Sequence, residues 1–171
     1  MSPTLQSRQL QSSSDIAALQ TVMENATTFS LLTEGHLPSP TAAQEAMLAR
    51  PPNLSADDKW MLGFYLDGNL IGCADICRGY PEAGTAFIGL LLFAEPFQGQ
   101  GHGKTAMQHL RRLALTWHCQ RIKISVIANN TAALAFWRRE GFVERLKKPA
   151  IGFLDDAIVM ECQLNLLQAA H

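Results

Sequence analysis

The 171-residue sequence lacks several features that would have placed it at once. It has no excess of either charge: the formal net charge is −1, which leaves no basic surplus to drive binding to nucleic acid or anionic lipid. The basic pairs Arg111-Arg112, Arg138-Arg139 and Lys147-Lys148 read as solvated faces. Its four cysteines, Cys73, Cys77, Cys119 and Cys162, contain no C-x-x-C and no zinc-ligand spacing, so neither a structural metal nor a redox dithiol is expected. Three of them sit in apolar runs, where a free thiol behaves as a small core residue, and a reducing cytoplasm suits them. His36, His109 and His118 also lack metal-ligand spacing. Met-Ser-Pro-Thr-Leu-Gln opens the chain without a charged leader ahead of an apolar stretch, so no signal peptide is expected. The longest apolar run, within Phe87 to Ala94, is far too short to span a bilayer.

What is present is an ordinary globular balance, 47% hydrophobic and 17% charged, over a length that suits one domain, taken as residues 1–171. Leu5 to Leu10 reads as an opening strand. Ser12-Ser13-Ser14-Asp15 starts a helix whose apolar residues Ile16, Leu19, Val22 and Met23 follow at helical spacing. Phe29 to Pro40 carries Gly35, Pro38 and Pro40 and reads as a loop; Thr41 to Arg50 reads as a second helix, stopped by Pro51-Pro52. Strands are expected over Lys59 to Leu66 and Leu70 to Arg78, joined by the turn Asp67-Gly68-Asn69, and over Thr85 to Ala94, whose continuous apolar residues suit a central position. A glycine-rich loop, Gln98 to Gly103, then opens a helix from about Gly101 to Trp117. Arg121 to Ala128 alternates as a strand. Asn129-Asn130-Thr131 caps a helix over Ala132 to Glu140, closed by Gly141, and Phe142 to Leu146 and Ala157 to Leu164 are the last two strands.

The loop carries the chemistry. Glycines let main-chain N–H groups approach a ligand, and a helix start behind them adds unpaired donors and a positive dipole end, a combination that binds phosphate. A nucleotide-hydrolysing P-loop needs G-x-x-x-x-G-K followed by Ser or Thr; Gly103-Lys104-Thr105 supplies the tail, but Gln98 stands where the first glycine belongs. A dinucleotide fold needs G-x-G-x-x-G, whereas Gly99, Gly101 and Gly103 are spaced G-x-G-x-G.

Gln98-x-x-Gly101-x-Gly103 resembles the signature of the GNAT superfamily of acyl-CoA-dependent N-acyltransferases: Gln or Arg, two residues, Gly, one residue, Gly or Ala. A second block, Asn130-x-x-Ala133-x-x-x-Trp137-x-x-x-Gly141-Phe142, is similar to the same superfamily's N-x-x-A-x-x-x-Y-x-x-x-G-F. The resemblance covers roughly residues 5 to 165. It implies an α+β fold: a mixed, mostly antiparallel central sheet of about seven strands flanked by helices on both faces. It implies acetyl-CoA as acyl donor, no metal, and direct attack on the thioester by a small-molecule or peptide amine. Neither nucleic acid nor membrane is an implied partner, and homodimers are common in such families.

By the same resemblance, Leu91, Leu92 and Phe93 run beside the pantetheine arm, and a backbone N–H near Phe93 polarises the thioester carbonyl. Gln98, Gly99, Gln100, Gly101, His102, Gly103, Lys104 and Thr105 form the diphosphate loop, while Asn130, Ala133, Phe136 and Trp137 form the second cofactor wall. Phe29, Glu34 and His36 rim the acceptor pocket. Two positions depart from the pattern. Trp137 stands where many relatives carry Tyr; an indole N–H donates a hydrogen bond but gives up no proton near neutral pH. Phe87 stands where some relatives carry a Glu base. Asp75, Glu82 and Glu34 are the remaining carboxylate candidates for the base, with Tyr80 a further candidate acid and a water chain an alternative to a dedicated base; Asp75 stands out because it lies in an apolar strand where burial raises a carboxyl pKa. These departures leave open a second reading, a CoA-binding regulatory module without catalysis.

Overall fold

A computed structural model describes residues 2–165; the expected domain limits extend beyond these at both ends. Fourteen segments follow in order: β1 (Gln6–Gln9), α1 (Ser13–Glu24), α2 (Thr27–Thr33), α3 (Ala42–Leu48), a 3-10 turn (Ala56–Asp58), β2 (Lys59–Leu66), β3 (Asn69–Arg78), β4 (Thr85–Phe93), a 3-10 turn (Glu95–Phe97), α4 (His102–Thr116), β5 (Arg121–Ile127), α5 (Thr131–Arg139), β6 (Val143–Lys148) and β7 (Ala157–Gln163). The strands form one seven-stranded sheet in the order β1-β2-β3-β4-β5-β7-β6. Every pairing is antiparallel except β4 with β5. This is the mixed α+β architecture expected from the sequence.

Alternation along the strands divides the core into two layers. On one face Phe64, Ala74, Ile76, Ile88, Ile122 and Ile124 pack against Met107, Leu110 and Ala114 of α4 and Leu134 and Trp137 of α5. On the other, Met61, Cys73 and Leu92 pack against Leu19 and Met23 of α1 and Ala43 of α3. Local signals hold the first helix: Ser12 and Asp15 close a reciprocal capping box, and Asp15 also pairs with Arg8 at 2.9 Å.

The structure corrects one expectation. Thr27–Thr33, inside the stretch read partly as a loop, is α2. Neither end carries a local side-chain cap. Its N-terminus is capped from far along the chain: Thr28 N–H and Thr27 Oγ1 donate to Glu95 Oε1 at 2.9 and 3.2 Å. At its other end Thr33 O accepts from Leu154 N–H at 2.8 Å, and Leu32 O accepts from Asn129 Nδ2 at 2.8 Å. Nothing near Thr27 in the sequence announces these partners.

Two features of β4 prepare the site. It pairs with β5 only from Thr85 to Ile88, against Arg121 to Ile124, and the strands part beyond that point. At the parting lies a bulge: Asp75 faces Leu90 and Ile76 faces Ile88, so Gly89 is the extra residue on β4.

Candidate active site

Beyond the point where the strands part lies a cleft of about 830 Å³, framed by the end of β4, the glycine loop, α2 and α5. Leu91, Leu92 and Phe93 line it from β4. Ala94 N–H donates to Ile71 O at 2.9 Å, on the β3 side. Strand alternation therefore turns the N–H groups of Phe93 and Leu91 away from β3, toward the gap. On that gap side Phe93 O accepts from Gln98 Nε2 at 2.7 Å. Gln98 thus ties the loop to the strand end, while Phe93 stacks its ring on Phe64 and on His102, with centroids 5.6 and 6.0 Å apart.

Gly99, Gly101, His102, Gly103 and Lys104 line the next stretch. The glycines do different work. Gly101 is the N-cap of α4 at φ 85°, ψ 2°, and a Cβ there would meet nothing within 4 Å. Its requirement is backbone conformation, with open space in front. Gly103 lies inside the helix, and a Cβ there would stand 3.1 Å from the Phe136 ring, so this glycine lets α4 and α5 approach each other. No side chain caps the start of α4, and geometry leaves the first N–H groups of the helix without intrahelical partners. Those donors and the positive dipole end suit an anion at the loop. Two expected loop residues stand outside the lining: Gln100 Nε2 donates to Pro96 O at 2.8 Å, and Thr105 Oγ1 to Gly101 O at 3.4 Å.

The far wall is α5, through Asn130, Ala133, Phe136 and Trp137. Asn130 Oδ1 caps the helix by accepting from Ala133 N–H at 3.2 Å, so one residue both starts α5 and lines the cleft. Trp137 is 7% exposed, held edge-to-face against Phe136 and Phe142 at 5.0 Å each. Sequence reasoning missed further lining residues: Thr28 and Leu32 of α2, Phe97, and Arg139 and Glu140 at the end of α5. The last two lie inside the recognised block, at the unspecified positions between Trp137 and Gly141. Glu140 is not free, because Arg111 pairs with it at 3.0 Å and also bonds its carbonyl.

The remaining candidates divide by position. Phe29 lines the cleft; Glu34 and His36 do not, and they face each other at 3.7 Å just past the end of α2. Tyr80 and Glu82 lie at the wrong end of β4 for proton transfer in the cleft. Tyr80 packs edge-on against Phe87 at 5.3 Å, and Glu82 pairs with Lys123 at 3.2 Å. From Phe87 to Leu91 the strand advances roughly 13 Å. Asp75 is outside the lining but beside the apex where β4 and β5 part: a Cβ on Gly89 would stand 3.5 Å from Asp75 Oδ2. Lys59 Nζ lies 2.9 Å from the same oxygen. Burial raises the Asp75 pKa, and Lys59 opposes that rise. Among the described residues no cluster of His, Cys, Asp and Glu is placed to hold a metal, and no helix is long and apolar enough to cross a membrane.

A cleft between α5 and the end of a strand that has left its parallel neighbour, closed by a glycine loop at a helix start, defines a class. Residues 23–142 match the acetyltransferase (GNAT) family, and the chain belongs to that family. It is 32% identical over 87 residues to the spermine/spermidine N(1)-acetyltransferase of Bacillus subtilis (strain 168), a match covering 47% of this chain and 57% of that protein. The chain thus spans little more than half the length of that curated relative. Its fold is similar to an acetyltransferase from Thermus thermophilus, with TM-score 0.76, 24% identity, and coverage of 94% of this chain and 97% of that one. It is also similar in fold to the PaiA N-acetyltransferase from Thermoplasma acidophilum in complex with coenzyme A, with TM-score 0.69, 18% identity, and coverage of 94% and 99%.

Proposed function

We propose that this chain transfers an acetyl group from acetyl-CoA to a primary amine by direct attack within a ternary complex. The observation that carries the reading is the continuity of one cleft: from uncapped N–H donors at the start of α4, along Phe93 and Leu91, toward the point where β4 leaves β5. That path offers a diphosphate its donors at one end and an extended amide-bearing arm a strand edge to bond in the middle. Acetyl-CoA, when bound, supplies the thioester carbonyl that an amine attacks. The N–H groups of Leu91 and Phe93 are the donors available to its oxygen. Trp137 holds the departing sulfur by hydrogen bonding rather than by giving up a proton.

The four cysteines are buried and none lines the cleft, which favours direct attack over a covalent enzyme intermediate. Their free, buried state also suits a cytoplasmic location. The Bacillus relative's name makes a polyamine a fitting first acceptor to try.

Calorimetry with acetyl-CoA, followed by thiol release across a panel of amines, tests the reading. Acceptor-dependent release of CoA thiol is the expected result. Tight CoA binding with no acceptor-dependent release would replace the enzyme by a CoA-binding regulatory module, the alternative that Trp137 and Phe87 keep in view.

A further inference from the structure

Acetyl transfer to an amine requires removal of a proton from the ammonium before attack. If the cleft works as proposed above, some group must take that proton. The ionisable side chains lining the cleft are His102, Lys104, Arg139 and Glu140. The two cations are no bases at neutral pH, and Glu140 is committed to Arg111. His102 sits between Gly101 and Gly103 at the proposed diphosphate end, with Nε2 buried and without a hydrogen-bond partner among the described residues. None of the four stands where β4 and β5 part.

We infer that Asp75, held in place by Lys59 and reached past the missing side chain of Gly89, accepts the proton of the attacking amine. The bulge brings this about. Gly89 is exposed, follows the last residue of β4 paired with β5, and leaves open the space over the Asp75 carboxylate. Asp75 faces Leu90 across the β3–β4 ladder, one residue before the first β4 residue that lines the cleft. Its side chain is 17% exposed, enough to meet a water or an amine from the Gly89 side.

Lys59 is 5% exposed and all three of its N–H bonds have an acceptor: Asp75 Oδ2, Ala46 O at 2.5 Å, and Ala49 O. The ammonium is therefore pinned at the end of α3, and it pins the carboxylate in turn. The two thiols beside Asp75 carry no charge at neutral pH. Burial pushes the Cys73 thiol up to about 12 and the Cys77 thiol up to about 11, and Cys77 Sγ lies 3.9 Å from Asp75 Oδ1. From the helices on that face come Leu19 and Met23 of α1 and the Ala46 and Ala49 carbonyls at the end of α3. Asp58, further along, is paired with Arg78 at 2.7 Å. Burial raises the carboxyl above its ordinary value, against the pull of Lys59, which makes it a better base than an exposed aspartate.

The proton balance is simple. The ammonium gives one proton to the Asp75 carboxylate, directly or through one water. The free amine forms the new C–N bond as the C–S bond breaks, and the second nitrogen proton leaves with the sulfur to give CoA thiol and a neutral amide. Asp75 then returns its proton to solvent through the Gly89 opening.

The test is the pH dependence of kcat/KM for the amine in the full chain. Asp75→Asn is expected to lose about 10²-fold at neutral pH and to recover as the free amine becomes abundant at higher pH. Lys59→Met removes the counter-charge, so the acid limb is expected to move to higher pH, a change that a merely structural lysine would not produce. Because Lys59→Met removes half of a buried pair and risks unfolding, Gly89→Ala serves as the second variant. Its Cβ finds ordinary contact distances, so the fold is kept while the opening narrows. A several-fold rise in KM for the amine is expected, with unchanged calorimetric affinity for acetyl-CoA. Asp75→Asn within about threefold of the parent between about pH 6 and pH 9 would overturn the assignment. Acetyl-transfer chemistry itself would survive that result, and would fall only if the parent chain released no thiol with any amine.

Discussion

Replacing Gly101 by Glu is the sharpest probe of the donor end, because its two effects can be separated. The first is strain. Gly101 holds φ 85°, a left-handed conformation that costs an L-residue about 1–2 kcal/mol. Gly68, in the β2–β3 turn, holds φ 80° and likewise has nothing within 4 Å of a built Cβ. Gly68→Ala and Gly101→Ala should therefore lose similar stability, lowering Tm by about 2–8 °C in a chain of this size. The second effect is charge. Gly101 lines the cleft with open space before it, so a glutamate there would enter the proposed diphosphate site. At about 5 Å and an effective dielectric of about 40, each like-charge pair costs about 1.7 kcal/mol. Two phosphate charges make this about 3 kcal/mol, or at least about 100-fold in Kd. Thermal unfolding reads the first effect and calorimetry with CoA the second. If Gly101→Glu kept its CoA affinity within about threefold of Gly68→Ala, the phosphate site would not be at this loop.

Other outcomes are expected at three further positions. Trp137→Phe keeps the ring wall but removes the indole N–H, so turnover should fall about five- to tenfold, the worth of one neutral hydrogen bond, with little change in CoA affinity; Trp137→Tyr should keep the rate and add a basic limb near the phenol pKa of about 10. Glu95→Gln weakens the distant cap of α2, so hydrogen exchange over residues 27–33 should speed up and KM for the amine should rise. The Thr28 N–H and hydroxyl hold the Glu95 carboxyl below its ordinary value, so this contribution is complete above the ordinary glutamate range and lost as pH falls through the lowered value. Asp15→Ala removes the capping box and the Arg8 partner of α1, and should cost about 1–2 kcal/mol in denaturant titration while leaving kcat unchanged below the unfolding midpoint. The Arg8 guanidinium, with the Gln11 and Ser12 N–H groups, holds the Asp15 carboxyl well below the usual range, so that stability persists into acid and disappears only as pH falls through the lowered value.

Strands β2 to β5 and helices α4 and α5 were legible because their signals are contiguous: alternating apolar residues, the Asp67-Gly68 turn, the glycine loop and the Asn130 cap. The proposed donor half of the cleft was legible for the same reason, since a diphosphate there would be met by main-chain donors whose placement is written in a few neighbouring residues. Tyr80 and Glu82 show the limit of that reasoning. Chemically they are good proton carriers, but only the register of β4 against β5 reveals that the β3–β4 turn holding them lies at the paired end of those strands, away from the parting. Lys59 was invisible as a partner of Asp75 because their pairing depends on the β2–β3 register and on where α3 ends.

The acceptor side was illegible for a physical reason that the contacts around α2 expose. This seven-residue helix is too short to stand on its own hydrogen bonds. It exists because Glu95 caps its start while Asn129 and Leu154 bond the carbonyls near its end. Those three partners come from the connection into the glycine loop, from the end of β5 and from the β6–β7 loop, the segments that frame the cleft. Thr28, Phe29 and Leu32 therefore hold their places over the cleft through bonds from the segments that frame it. It follows that a change at Glu95, which lies outside the cleft lining, should be felt first in recognition of the amine and only second in affinity for the donor. A loop defect at Gly101 should show the reverse order.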